Sequence, residues 1–549
     1  MKLECHCLPA LPPLAWLCEL RHGQETACLL HGRDVEFGES FFHDGAWCGP
    51  FAEGGFADLP NFGSGARTDA RGITFHPPDH VLEGLFLITE ETDEGRRLCI
   101  SNSLAFLLAR TGNEIDRSRI DYLPLFARSL AGIGQHSLPL PIAGGKTVTH
   151  HFYHALRIAP DLIPHTVIKH RHEDFHDYES FIAMYRRHAK ALFANAADPA
   201  RKRCYRPLST LSTGYDSTAL TAIVAPVGCR RAFSFGESRP RGGVVEHDGG
   251  EEIGRAMGIE VIMLDRLAYR AADDMPELET MGVGNEMSSA RHLLRGSVFL
   301  SGYFSGALWD IHFADINDEL RAADGGHTMG EMRLHNGYVH APFGFVAGRQ
   351  LQQLNEIGLS EDMKPWRLFT DYDRPISRRV VEEAGVPRTA FGQKKKAAGV
   401  FYRFEGLRET MAPRSYADYM AFHEAHAPGT GALARRLNAL RYRLWDLNHR
   451  AQEKLMRITH KKWPFRVRIP LLFPQVPRIS EASLLFPWAV SRMTERYRAH
   501  LAGSGLLPAG KRASMAACPG QERKPHVASV SDRSLLLAHT ERLEDFHCT

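Results

Sequence analysis

The sequence predicts an α/β protein in three parts: a β-rich α+β region, a parallel-sheet region and a helical C-terminal region. Short apolar strands separated by helical patterns between 207 and 302 predict the parallel sheet, and two β-rich runs joined by a polar turn between 82 and 101 predict a hairpin before it. A leucine stripe at helical spacing after 430 predicts the last part. At 549 residues the chain is too long for one core. The boundaries read from it are 1–175, 176–405, 406–502 and 503–549.

Leu82–Glu90 and Arg96–Ser101 form the hairpin arms, with Glu91-Thr92-Asp93-Glu94-Gly95 as the turn. Thr166-Val167-Ile168 is strand-like, and a helical run starts near Tyr178. Pro207–Leu211 reads as a strand and Thr218–Val224 as a helix. Arg231–Gly236 is a second strand, Glu251–Gly258 a helix, Ile259–Leu264 a third strand and Gly296–Leu300 a fourth. Such alternation indicates right-handed βαβ units. Arg378–Gly385 is an amphipathic helix that stops at Gly385, and Pro387 prevents its continuation. Leu433, Leu437, Leu440, Leu444 and Leu447 form the late stripe. Arg450, Lys454, Arg457, Lys461 and Lys462 follow it, read as cations favoured by a helix C-terminus, with a membrane-surface or anionic-partner patch as the alternative. The stretch from Gly503 to Val530 has a flexible composition, and Ser534–Phe546 suits a short helix.

The chemistry concentrates at Ser212-Thr213-Gly214-Tyr215-Asp216-Ser217, between the first of these strands and its helix. A helix N-terminus presents unsatisfied N–H donors and partial positive charge, so hydroxyl residues and glycine there make an anion cradle. A carboxylate inside it suits a phosphate accompanied by magnesium, which takes carboxylate and phosphate oxygens. Taken alone, the loop also reads as a Ser/Thr-rich turn with a capping serine.

This loop resembles the Ser-Gly-Gly-x-Asp-Ser loop of the ATP pyrophosphatase (PP-loop) enzymes, and with its surroundings it is most similar to the synthetase half of the asparagine synthetase family. Thr213 stands where that motif has its first glycine. The resemblance spans roughly residues 80–400 and is specific at three anchors: this loop, Ser301-Gly302 after the fourth strand, and the stretch that begins with the helix at Arg378 and ends with Phe391-Gly392-Gln393-Lys394-Lys395-Lys396. It implies a degenerate N-terminal glutaminase-like (Ntn-hydrolase-like) domain followed by a PP-loop domain. ATP and magnesium are the implied cofactors. Ser212, Thr213, Gly214 and Ser217 would cradle pyrophosphate, Asp216 would hold the metal, and Leu211, Phe235, Ser301 and Gly302 would line the adenosine pocket. Lys394, with Lys395 in reserve, would steady the charge of acyl-adenylate chemistry; a solvated basic turn is the plainer reading of that triplet. The family continues after Ser-Gly with acids, whereas this chain runs Tyr303-Phe304-Ser305-Gly306 and has no acid until Asp310, leaving Asp310 or Asp315 to fill in. The implied reaction adenylates a carboxylate, aspartate or another acid, and captures it with an amine to form an amide. β-Lactam synthetases and the macrolactam-forming cyclases of lasso peptides are relatives of the same kind, and a weakened nucleotide-binding scaffold is the non-catalytic alternative. Small-molecule or peptide carboxylates and amines are the expected partners, and a homodimer is compatible with the resemblance.

Within the same resemblance, Ser101–Ala109 matches the segment leading from the glutaminase sheet into its helix, and Thr147–Ile158 matches the later strand. The glutaminase needs a cysteine directly after Met1, whose free amine serves as base for the thiol. Lys2 stands there, with Cys5 and Cys7 further along, so glutamine hydrolysis is not expected.

Net charge is only +3, which gives no ground for nucleic-acid binding. Ten cysteines without paired metal spacing suit reduced thiols, no apolar run reaches the ~20 residues of a spanning helix, and prolines break the early apolar stretch, so cytoplasm is expected. His150 and His154 fall ~13 Å apart if extended. His172-Glu173-Asp174-Phe175-His176 matches a zinc-protease pattern, but that works only on a helix, and this segment reads as polar and non-helical.

Overall fold

The computed structural model describes residues 1–70, 72–240, 244–272, 274–279, 284–312, 316–321, 329–370, 372–427, 440 and 481–506. Two mostly antiparallel sheets make up the N-terminal part. The first runs in the order Lys2–Cys7, Thr26–His31, Trp16–Arg21, Gly95–Ser101, Leu85–Thr92, Thr147–His151, Ser137–Pro141. In the second, the order is Pro164–Val167, Ala155–Ile158, Gly72–His76, Gly65–Asp69, Phe41–His43, Glu36–Phe37. The expected hairpin is present, with Glu90 opposite Arg97 and Thr92 opposite Gly95.

Successive strand residues point to opposite faces. Trp16, Cys18 and Leu20 therefore meet Phe42, Phe75, Leu87 and Ile158 between the sheets, while Leu17 turns outward to a second core. Helix Leu104–Thr111 fills that outer core. Ser103 caps it by accepting from the Phe106 N–H at 2.9 Å, and Gly112 ends it at φ 73°. Leu104 to Ala109 are all buried. A helix apolar on every side must be covered on every side. Here the sheet covers one face and helix Leu485–Gly503 the other, with Phe106 stacked on Tyr497 at 5.0 Å between ring centres.

The single strand expected over Thr147–Ile158 is corrected by the structure. Thr147–His151 belongs to the first sheet and Ala155–Ile158 to the second. Tyr153, at φ 63°, turns the chain between them. Both halves carry the same β pattern, so only the turn, which a bulky side chain disfavours, separates them.

Helix Tyr178–Ala196 opens on a capping box between Asp177 and Ser180. It leads into a five-stranded, fully parallel sheet in the order Glu260–Leu264, Arg231–Phe235, Arg206–Thr210, Ser297–Ser301, Val339–Pro342. Its strands are apolar on both faces: Val298 and Leu300 join one core, Phe299 another. The chain order reverses between Arg206–Thr210 and Ser297–Ser301. A crevice at the carboxyl ends of open parallel sheets forms at such a switch point. Helices Pro413–His426 and Leu485–Gly503 follow. The leucine stripe, the cations after it and the tail beyond Leu506 lie outside the described residues, Leu440 excepted. No described helix is long and apolar enough to cross a membrane.

Candidate functional site

The hydroxyl loop leaves the central strand Arg206–Thr210 at the switch point and enters helix Asp216–Val224. Its shape is held from inside. Ser212 Oγ accepts from the Gly214 N–H at 3.1 Å and lies 3.2 Å from Ser217 Oγ, while Thr218 Oγ1 donates to the Ser212 carbonyl at 2.6 Å. Thr213, where the resembled motif has glycine, uses its side chain: its hydroxyl donates to Asp248 Oδ1 and accepts from Lys396 Nζ at 3.1 Å. The extra Cβ is therefore accommodated by a partner that glycine would lack. Leu211 is buried, packed under Gly250 and Gly254, and its carbonyl accepts from Ser234 Oγ at 2.7 Å. Its side chain thus serves the core.

Asp216 heads the helix with its carboxylate about a quarter exposed, at 27%. Arg374 Nη1 donates to Asp216 Oδ1, and Lys395 Nζ stands 3.6 Å from Oδ2. Asp310 is 3.8 Å from the other Arg374 nitrogen, Nη2. The acid expected to compensate for the missing acidic run is thereby gathered at the cradle; Asp315 lies outside the described residues. Burial works against the charge on Arg374, but Asp216 and then Tyr372 and Asp310 outweigh it and raise its pKa.

The lysine loop is pinned to the cradle by Tyr215. This ring is buried and contacts Phe391 at 5.9 Å and Tyr372 at 4.9 Å, and its hydroxyl accepts from Arg378 Nε at 3.2 Å. Gly392 sits at φ 62° with its N–H donating to the Thr213 carbonyl at 2.8 Å. A Cβ there would fall 2.3 Å from the Tyr215 ring, so only glycine lets the two loops meet. The three lysines then diverge. Lys394 Nζ lies 2.7 Å from Glu246, Lys395 faces Asp216, and Lys396 reaches Thr213 Oγ1 and the His247 carbonyl at 2.7 Å. Lys394, ranked first on sequence, is the one paired away from the cradle. Beside them a cleft of about 240 Å³ is lined by Ser238, Arg239, Glu246 and the lysines.

Ser301 and Gly302 end the neighbouring strand. A Cβ on Gly302 would lie 2.6 Å from Ser217 N and 2.8 Å from the Asp216 carbonyl carbon, so this turn abuts the first turn of the cradle helix. Phe235 ends the strand on the other side of the cradle, packed on Phe233 at 5.7 Å. The three anchors, far apart in sequence, converge at one end of one sheet.

Sequence reasoning missed Arg374, Asp248 and Tyr372, and named Arg378 only as the start of a helix. No motif marks them; only the path of helix Pro375–Glu383 across the cradle helix brings in the two arginines. Among the described residues, no group of three or more His, Cys, Asp and Glu could hold a metal by itself. A magnesium ion bound through phosphate oxygens needs only one or two carboxylates, and Asp216 with Asp310 supply that number. The segment His172–His176 is not helical, its histidines are exposed, and Glu173 is engaged with His188 at 2.8 Å. His150 and His154 sit on separate segments, with His150 stacked between Phe86 and Phe126. Lys2, Cys5 and Cys7 lie exposed on an edge strand, and partial burial raises the Cys5 thiol pKa, against thiolate formation. No family model matches the chain, and a search of curated proteins finds no match.

Proposed function

We propose that the chain is an asparagine synthase-like ATP-dependent ligase of PP-loop type, which adenylates a carboxylate and forms an amide with release of AMP and pyrophosphate. One observation carries this reading: a hydroxyl loop, a partly exposed carboxylate and three cations meet at the switch point of a parallel sheet. In it, Ser212, Thr213, Gly214 and Ser217 bind the β- and γ-phosphates through hydroxyls and N–H groups. Lys395, Lys396 and Arg374 offset the charge of the departing pyrophosphate, with Lys394 within reach of its outer end. Leu211, Phe235, Ser301 and Gly302 border the adenosine. Magnesium, held by Asp216 and Asp310, supplies neutralisation of phosphate charge when bound. Preorganised charge of this kind is usually a large catalytic contribution. The carboxylate is aspartate or another acid, and a β-lactam or macrolactam product follows if the amine belongs to the same substrate. The N-terminal part is a degenerate glutaminase-like scaffold.

A second reading, a nucleotide-binding scaffold without turnover, is favoured by the Arg374 bond that already occupies Asp216. Pyrophosphate exchange into ATP, screened across carboxylic acids, separates the two. Exchange dependent on magnesium and on one class of acid supports the ligase. ATP binding with no exchange for any acid leaves the scaffold.

A further inference from the structure

Ser301 has a partner that the nucleotide reading does not use. Its Oγ lies 2.9 Å from His340 Nε2, on the adjacent parallel strand. The opposite ring nitrogen, His340 Nδ1, faces Glu83 Oε1 at 3.7 Å, across from the N-terminal part. Glu83 is fixed in turn, because Arg333 Nε donates to its other oxygen at 2.7 Å. Each carboxylate oxygen thus has its own partner. Burial pushes the Glu83 carboxyl up, but Arg333 and His340 outweigh it and hold it at about 2, so the carboxylate is charged throughout the neutral range. A charged Glu83 on the Nδ1 side favours the tautomer with its proton on Nδ1, in which Nε2 would accept from Ser301. The ring is also oriented by stacking on Phe299 at 5.7 Å, and Ser301 and His340 both remain partly exposed.

We propose that Ser301, His340 and Glu83 form an activated serine that accepts the acyl group of a carboxylic ester. Serine, base and orienting acid come from three separate segments and meet in the order that nucleophilic catalysis requires. The electrostatic setting suits it as well: Gly302, the next residue, packs on the positive end of helix Asp216–Val224, where developing negative charge is favoured. In the first step Ser301 Oγ bonds to the carbonyl carbon as its proton passes to His340 Nε2. The carbon–oxygen bond to the alcohol then breaks, its electron pair stays on the alcohol oxygen, and that oxygen takes the proton from His340. Water reverses the sequence. Its proton goes to His340, the hydroxide adds to the acyl carbon, and Ser301 leaves with its electron pair and recovers the proton. The net change is ester plus water to acid plus alcohol.

The test uses the full-length chain, without ATP, so its outcome is independent of adenylation. A fluorophosphonate probe is incubated with the protein and the site of phosphonylation is located by mass spectrometry; hydrolysis of p-nitrophenyl acetate is followed in parallel. The expected result is one adduct on Ser301, absent in Ser301→Ala, and formed on the order of 100-fold or more slowly in His340→Ala. Glu83→Gln should slow it too, with circular dichroism reporting whether that variant folds; if it does not, His340→Ala decides. A wild-type chain with no adduct on Ser301 overturns the proposal. So does a labelling rate unchanged in His340→Ala, the result expected if the 2.9 Å contact only ties two strands together.

Discussion

Two carboxylates, Asp44 in the N-terminal part and Asp216 at the cradle, show opposite ways of holding a charge. Asp44 is buried and fully engaged: Trp16 Nε1 at 2.8 Å, Ser64 Oγ at 2.6 Å, Ser64 N–H at 2.8 Å, Asn102 Nδ2 at 2.7 Å and Arg333 Nη1 at 3.2 Å all donate to it. Asp79 is similar, held by Lys169 at 2.7 Å and Arg171 at 2.8 Å. Such sites have no capacity left for a ligand, and removing one partner would leave an uncompensated buried charge. Asp216 is about a quarter exposed, and its neighbour Lys395 is more than half exposed. Its cations outnumber what one carboxylate needs. A closed network joins the N-terminal part to the parallel sheet, since Arg333 follows the fourth strand and Asp44 precedes the hairpin. An open one keeps its charged groups in contact with solvent.

The largest expected effect tests the closed side. Burial lowers the pKa of His43 from 6.5 to about 4, and of His80 and His151 to about 3. The unfolded chain takes up a proton on each near 6.5, whereas the folded chain resists until the lower values. Their contribution is therefore complete above pH 6.5 and is lost as pH falls from there toward 4. By pH 4 the three together withdraw on the order of 10 kcal/mol, comparable with the total stability of a domain. Chemical denaturation at stepped pH should show the N-terminal part unfolding in this window; a flat profile down to pH 4 would mean these rings are hydrated.

Next comes Asp216→Ala, expected to reduce pyrophosphate exchange by about 100-fold to 1,000-fold while leaving the melting temperature near that of the wild type. The fold should survive because Asp216 is partly exposed, unlike Asp44, whose alanine variant should fail to fold. Equal exchange in the mutant would remove Asp216 from the site. Gly302→Ala should cost about 1–3 kcal/mol and weaken nucleotide binding, because its Cβ meets backbone that cannot swing away. Calorimetry with and without ATP reads both. The smallest effect separates the lysines. Lys395→Ala and Lys396→Ala should lower turnover about tenfold, a modest figure because exposed charges are screened. Lys394→Ala should change it little if Glu246 is its working partner. Equal losses in all three would restore the reading of an undifferentiated basic loop.

Much of this architecture was legible in the chain. The alternation of strand and helix between 207 and 302 is local, and each strand expected in that stretch appears within a residue or two of its place. The place of the hydroxyl loop was legible for the same reason, because hydroxyl residues and glycine between a strand pattern and a helix pattern mark a turn through their own backbone. Two readings depended on more than local pattern. One strand pattern at 147–158 became two strands in different sheets, since the turn at Tyr153 is imposed by the packing of both. The ranking of the lysines also changed, because three identical side chains in a row differ only in what stands opposite them.

The sequence by itself determined the α/β class and the strand–hydroxyl loop–helix order, because each follows from periodicity and local backbone chemistry; that Gly302 and Gly392 stand at close approaches was decided by the packing of the loops around them. Only the tertiary structure decided that Arg374 and Asp310 share the cradle with Asp216, that Lys395 and Lys396 face it, and that Ser301, His340 and Glu83 align. Those groupings join residues 39 to 257 positions apart. Charge and hydrogen bonding act over a few ångströms of space, and no spacing along the chain records which side chains a folded sheet will bring within that reach.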